Sequence, residues 1–369
     1  MQEPYLHTEN LAVGYRGRAL ISGIEISVAR GQILTLIGPN GAGKSTILKS
    51  LARQLAPIGG AVYLEKQPAA ALSEQALARK LSIVMTERIT PERMSCEEVV
   101  SSGRYPYTGR LGILSAQDRA VVQNALRMVH AEALAGLDFM RVSDGQRQRI
   151  LLARAFCQEP EVMVLDEPTS FLDIRHKLEL ITILKQMVAE KRMAVVLSLH
   201  ELDLAQKISD LVVCVRDGRV DKIGPPEEVF TPGYIGALYG MTTGSYDAHF
   251  GGVELAAPKG PPRVFVIGGG GAGIPVYRKL QRRGIPFMAG ILHAEDLDYP
   301  VAKALAAGVV AETSYEPVSE ATLHRALAAM AQCGQVICCL RQFGSLNKAN
   351  DLLRQTAADA GKLLRDGEF

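Results

Sequence analysis

The run Gly38-Pro39-Asn40-Gly41-Ala42-Gly43-Lys44-Ser45-Thr46 fits the pattern G-x-x-x-x-G-K-[ST] without a mismatch. Glycines at 38, 41 and 43 let successive backbone N–H groups, that of Asn40 among them, curl around phosphate oxygens. Lys44 can reach the β- and γ-phosphates of a nucleotide, and the Ser45 hydroxyl is a hard oxygen ligand suited to Mg²⁺. Thr46 lies on the first turn of a predicted helix, whose N-terminus adds partial positive charge. A second group is Val162-Met163-Val164-Leu165-Asp166-Glu167. Its apolar residues predict a buried strand, and its carboxylates emerge at the carboxyl end, where α/β sheets place ligands. Asp166 is suited to hold Mg²⁺ through water, and Glu167 is placed to act as general base on an attacking water. Shortly before them runs Val142-Ser143-Asp144-Gly145-Gln146-Arg147-Gln148-Arg149. Ser143 and Gln146 have capping-box spacing, so a helix is predicted to start there and to present its positive end and the Gly145 N–H to an anion.

Each of these groups needs a strand or a helix to aim it. The short apolar runs Ile33–Ile37, Val162–Leu165 and Ala194–Ser198 read as buried strands, with helices following at 45–55, 175–189 and 201–209. A second glycine-rich turn, Gly268-Gly269-Gly270-Gly271-Ala272-Gly273, follows the apolar run Val264–Ile267. Beyond it strands are predicted at 287–292, 308–310 and 335–340, and helices at 274–283, 300–307, 320–332 and 347–364. That alternation predicts a parallel sheet. Glycines and prolines crowd residues 241–262. The expected organisation is a nucleotide-binding domain over 1–245, a linker over 246–261 and a smaller Rossmann-like α/β domain over 262–369.

The turn at 268–273 also satisfies G-x-G-x-x-G, which binds a pyrophosphate in dinucleotide folds and calls for an acid about 20 residues on. Glu295 and Asp296 are near that place, but His293 and Ala294 intervene after the strand. The segment is shorter than a two-half dinucleotide fold and shows no nucleophile with a base. A structural or regulatory role is expected for it, with a phosphate-bearing nucleotide at Gly268, Gly270 and Gly273 as the alternative.

The chain has 369 residues, enough for two to three domains at roughly 150 residues each. Apolar residues are 47% and charged residues 22%, as in globular proteins, which excludes collagen and coiled coil. Lys and Arg number 41 against 39 Asp and Glu, so no basic excess points to nucleic acid. Trp is absent and aromatics are 5%, which also argues against base-stacking platforms. No stretch approaches the roughly 18 apolar residues of a membrane helix, and Met1-Gln2-Glu3-Pro4-Tyr5 lacks the layout of a signal peptide. A chain that neither spans a membrane nor is secreted is expected. The six cysteines (Cys96, Cys157, Cys214, Cys333, Cys338 and Cys339) show no metal spacing and read as buried thiols in a reducing setting.

The order of the phosphate loop, the Ser143 motif, the acidic strand end and then Ser198-Leu199-His200-Glu201 resembles the ATP-binding cassette (ABC) ATPases over roughly residues 5–240. The resemblance implies a mixed sheet core plus a helical subdomain, with ATP and Mg²⁺ bound. It makes residues 142–149 the family signature, usually Leu-Ser-Gly-Gly-Gln. His200 becomes the switch histidine at the γ-phosphate, and Tyr15 the aromatic that stacks on adenine. Ser170-Phe171-Leu172-Asp173 becomes the loop that crosses a dimer interface. Ala78-Arg79-Lys80-Leu81, Glu97-Glu98-Val99-Val100 and Gly103-Arg104-Tyr105-Pro106-Tyr107 are similar to importers of iron–siderophore, haem and cobalamin complexes. That subfamily implies a homodimer, peripheral on the cytoplasmic face of the membrane. It works with two polytopic permease subunits and, through them, a substrate-binding protein, and binds no nucleic acid. The alternative is a soluble cassette ATPase acting in repair, translation or cluster assembly. Two departures stand out. Thr86, with Glu87 beside it, occupies the place of the usual metal-touching glutamine, and Asp144 replaces a signature glycine. A carboxylate facing a γ-phosphate would be repelled, so the Asp144 side chain is expected to point away.

Overall fold

The structure, a computed structural model, describes residues 3–85, 91, 93–109, 111–170, 172–248 and 250–364. The chain divides into two compact units, Met1–Phe230 and Thr231–Phe369.

The first unit is built on a six-stranded sheet in the order Arg219–Gly224, Leu211–Arg216, Ile33–Ile37, Ala194–Ser198, Val162–Leu165, Leu81–Val84. Every neighbouring pair is parallel except the first, which is a hairpin. Ile33–Ile37, Val162–Leu165 and Ala194–Ser198 fall where the apolar runs predict them and are buried at every position. Burial on both faces is why they read as continuous apolar runs. The helices that follow span Lys44–Leu51, Ile174–Lys191 and Leu202–Ile208.

A second, antiparallel sheet has the order Arg18–Ile24, Pro4–Tyr15, Gly59–Leu64, Gln67–Pro68, and Ser27–Ala29 also pairs with Pro4–Tyr15. One apolar cluster joins the two sheets: Leu6, Leu11 and Val13 from the antiparallel sheet, and Leu34, Val164 and Val196 from the other. Ile47, Leu48 and Leu51 belong to the same cluster, so the helix that follows the phosphate loop is packed into the core. Three further helices, Cys96–Ser101, Ala116–Met128 and Asp144–Cys157, pack together as a helical part. Each begins with a capping box, on Ser95, Ser115 and Ser143. Arg104 is buried there. It donates to Asp118 Oδ1 (2.9 Å), the Cys157 carbonyl (2.8 Å) and Glu159 Oε2 (2.7 Å), with its guanidinium 3.9 Å from the Tyr107 ring centroid.

The second unit carries a parallel sheet in the order Gly308–Glu312, Phe287–His293, Val264–Ile267, Gln335–Cys338. Ile274–Arg282 and Asp298–Leu305 cover one face, through Tyr277, Leu280, Val301 and Leu305. Glu320–Ala331 and Lys348–Asp359 cover the other, through Ala326, Met330, Leu353 and Ala357. Within residues 246–261, expected as linker, Gly252–Glu254 pairs with Ser245–Asp247 as a hairpin. Cys96, Cys157, Cys214 and Cys333 are buried, but Cys338 and Cys339 are half-buried, at and just beyond the end of the strand Gln335–Cys338. Among the described residues, no helix is long and apolar enough to cross a membrane.

At the end of Gly308–Glu312, the Glu312 carboxylate accepts the Ser319 N–H (2.8 Å), the Ser319 hydroxyl (2.7 Å) and the Thr313 N–H (3.0 Å). Ser319 in turn caps Glu320–Ala331. These donors, the Ser319 N–H first, pull the Glu312 carboxyl down to about 2. A carboxyl whose pKa is depressed on folding stabilises the fold above its unfolded value, about 4.3, and loses that contribution as pH falls toward its folded value. Glu312→Gln is therefore expected to lower the melting temperature of the second unit at pH 7. The gap from the parent should close as pH falls from about 4.3 toward 2. Calorimetry across that range checks it, and a gap independent of pH would contradict it.

Candidate functional site

The phosphate loop leaves the sheet at Gly38, whose φ is 145°, and a Cβ there would lie 2.0 Å from the Val215 carbonyl oxygen. Gly43 caps Lys44–Leu51 at φ 103°, and a Cβ on it would reach 2.6 Å from Ile21 Cδ1. Glycine is thus required at both ends of the loop by close approach and by backbone conformation. Lys44 is only 5% exposed. Its Nζ donates inward, to the carbonyl oxygens of Gly38 (2.7 Å) and Pro39 (3.0 Å). Burial pulls its pKa down, and the charges of Glu167 and Asp166 oppose that shift.

The parallel register places Leu165 opposite Leu197 and Leu36 opposite Ser198, so three strand ends finish side by side. The residues just beyond them therefore meet. Ser45 Oγ donates to Asp166 Oδ1 at 3.1 Å, and Ser198 Oγ donates to the same oxygen at 2.7 Å. Ser198 Oγ also accepts the Glu167 N–H at 2.9 Å. Glu167 stands at φ 47°, in the left-handed region. One of its carboxylate oxygens accepts from Ser170 Oγ at 3.1 Å, and the other is hydrogen-bonded to His200 Nε2. Thr169 Oγ1 donates to Glu201 at 2.8 Å, and Lys177 also pairs with Glu201. The Ser45 hydroxyl and the Asp166 carboxylate thus present oxygen donors beside a phosphate loop, a set that fits Mg²⁺.

Tyr15 ends the strand Pro4–Tyr15, is half exposed, and has its hydroxyl 3.4 Å from Thr46 Oγ1. Tyr15, the loop with Lys44, Ser45 and Thr46, and Asp166, Glu167 and His200 form one neighbourhood. From the sequence, Ser198 reads only as the start of the run that carries His200. Its signal is a hydroxyl at the end of an otherwise apolar buried strand.

Ser143, Gly145, Gln146 and Asp173 form a second neighbourhood. Ser143 Oγ accepts the Gln146 N–H (3.3 Å) and Gln146 Oε1 accepts the Ser143 N–H (2.9 Å), the capping box expected from the spacing. A Cβ on Gly145 would lie 3.3 Å from the His176 ring. His176 donates its N–H to Asp173 Oδ1 at 2.9 Å, which caps Ile174–Lys191 and lowers the Asp173 pKa. Asp144 Oδ1 accepts from Arg147 Nη1 at 2.8 Å, on its own helix. Thr86 and Glu87, and Phe171 of the loop expected at an interface, lie outside the described residues.

A family model described as ABC transporter matches residues 21–170, and one described as the MJ0874 family matches residues 287–365. An uncharacterized ABC transporter ATP-binding protein of Methanocaldococcus jannaschii, MJ0873, is 41% identical over 78% of this chain and 99% of its own length. The cobalamin import ATP-binding protein BtuD of Halobacterium salinarum is 31% identical over 90% of this chain and 85% of its own. Among solved structures, CbiO1 of Clostridium perfringens, part of the ABC transporter complex CbiONQ, superposes with a TM-score of 0.56 at 27% identity, covering 63% of this chain and 93% of CbiO1. With a phosphate loop, a paired acidic strand end and a capped signature helix in family order, the chain belongs to the ATP-binding proteins of ABC transporters.

Proposed function

We propose that this chain is the ATP-hydrolysing subunit of an importer whose cargo is a metal chelate or corrinoid of the iron–siderophore, haem or cobalamin type. It works as a homodimer on the cytoplasmic face of the membrane, coupled to two polytopic permease subunits and, through them, to a substrate-binding protein. The convergence of Ser45, Asp166, Glu167 and His200 beside the Lys44 loop is the observation that carries the ATPase reading. The importer reading draws on the motifs shared with the siderophore and cobalamin subfamily and on the cobalamin-import relative.

Tyr15 stacks against the adenine, and the N–H groups of Gly38 and of Asn40 through Thr46, together with the Lys44 ammonium, hold the phosphates. Ser45 and Asp166 would hold Mg²⁺, with Thr86 through water or Glu87 directly as a further contributor, and the ion would neutralise charge on the β- and γ-phosphates. Glu167 takes the proton of the attacking water as general base. His200, on the other side of that carboxylate, orients it and contacts the γ-phosphate. Ser143, Gly145 and Gln146 of a second copy close over the nucleotide, and Asp173 lies in the loop between the copies. Asp144 is tied to Arg147, which keeps its charge off the phosphate.

Glu167→Gln should keep ATP affinity while turnover falls by roughly 10²–10⁴-fold. Equilibrium binding with steady-state phosphate release separates the two, and near-normal hydrolysis would refute the assignment. For the sandwich, Ser143→Arg and Lys44→Ala chains should each be inactive alone. Their mixture should regain activity from a single intact composite site. Full activity in either variant alone would contradict the shared site. Co-purification of two polytopic proteins from detergent-solubilised membranes tests the importer reading.

A further inference from the structure

The second unit carries the same local succession as the phosphate loop of the first: an apolar strand, a glycine-rich turn and a helix, here Val264–Ile267, residues 268–273 and Ile274–Arg282. In a nucleotide site the N–H groups of such a turn face a phosphate. Here they face carboxylates of the same chain. Asp298 is completely buried. Its Oδ2 accepts the N–H groups of Gly269 and of Gly273 (2.9 Å for the latter), and its Oδ1 accepts the Ile274 N–H at 3.2 Å. Asp296 takes the Gly270 N–H on both oxygens at 3.0 Å and also accepts the Asp298 N–H at 2.8 Å. The floor of the turn is filled as well. A Cβ added to Gly268 or Gly273 would come within 2.2 or 2.4 Å of the buried Tyr277 hydroxyl, and within 2.9 or 2.8 Å of Asp298 Oδ2.

The acid that the dinucleotide pattern calls for is thus present after the second strand, but it is bonded to the glycine turn itself. A phosphate entering there would have to displace two carboxylates and would meet their charge. We infer that the glycine-rich turn of the second unit is an anion site whose permanent occupant is the chain's own Asp298 carboxylate, assisted by Asp296, and that no nucleotide binds there. The turn is a structural clasp between Ile274–Arg282 and Asp298–Leu305. All nucleotide held by the chain then sits at Lys44, one per chain.

Two measurements on the full chain test this. The first is equilibrium dialysis with ATP, ADP and NAD⁺. The parent should take up one ATP or ADP per chain and no NAD⁺, and Lys44→Ala should take up none of the three. The second is calorimetry of Asp298→Ala, with ATP binding at Lys44 as the control for an intact first unit. Emptying the turn should lower the melting temperature of the second unit by roughly 5–15 °C. Millimolar formate or inorganic phosphate should restore part of that loss and leave the parent unchanged. One equivalent of nucleotide retained by Lys44→Ala would overturn the inference, and so would an Asp298→Ala chain as stable as the parent. The dialysis arm stands even if Asp298→Ala fails to fold.

Discussion

A buried ammonium held by carbonyl oxygens is the constraint around which the first unit is organised. Taking a lysine out of water is costly unless its charge is compensated. Lys44 Nζ is given the Gly38 and Pro39 carbonyls, and the nearby carboxylates are engaged elsewhere, Asp166 with Ser45 and Ser198, and Glu167 with Ser170 and His200. The charges of Glu167 and Asp166 also act on the ammonium and oppose the effect of burial. The glycines at both ends of the loop, the register of the three parallel strands and the helix packed between two sheets are what keep the lysine there.

The two glycine turns show how little a loop pattern says about occupancy. Both follow a buried strand and both open a helix. In the first, the side chain that reaches into the loop is a lysine, which donates to the loop's own carbonyls. In the second, the segment after the next strand returns two carboxylates into the turn. The choice is made by residues 24–29 positions downstream of the N–H groups they bind, which a local pattern does not contain.

The parallel strands and the nucleotide motifs were legible because their signals are local: unbroken apolar runs, a loop with fixed spacing, a capping box. The antiparallel sheet was not. Pro4–Tyr15 alternates imperfectly, and its pairing slips at several points, so no period stands out over its length. The sequence predicts the last helix through 364, yet it ends at Asp359. Gly361 turns the chain at φ 65°, and Leu364 then donates its N–H to Val336, adding a short parallel bridge beside the sheet. A serine in an apolar strand has no motif of its own, and only the register places Ser198 between Asp166 and Glu167.

The measurement that bears most directly on the buried-charge account is calorimetry of Lys44→Met with and without Mg²⁺ and ATP. An apolar side chain of similar length removes the buried charge and keeps the packing. The account predicts that the first unit of the unliganded variant melts at or above the parent's temperature, while the rise that ATP produces in the parent disappears. A variant that melts well below the parent without nucleotide, and still gains the full ATP-dependent rise, would contradict it.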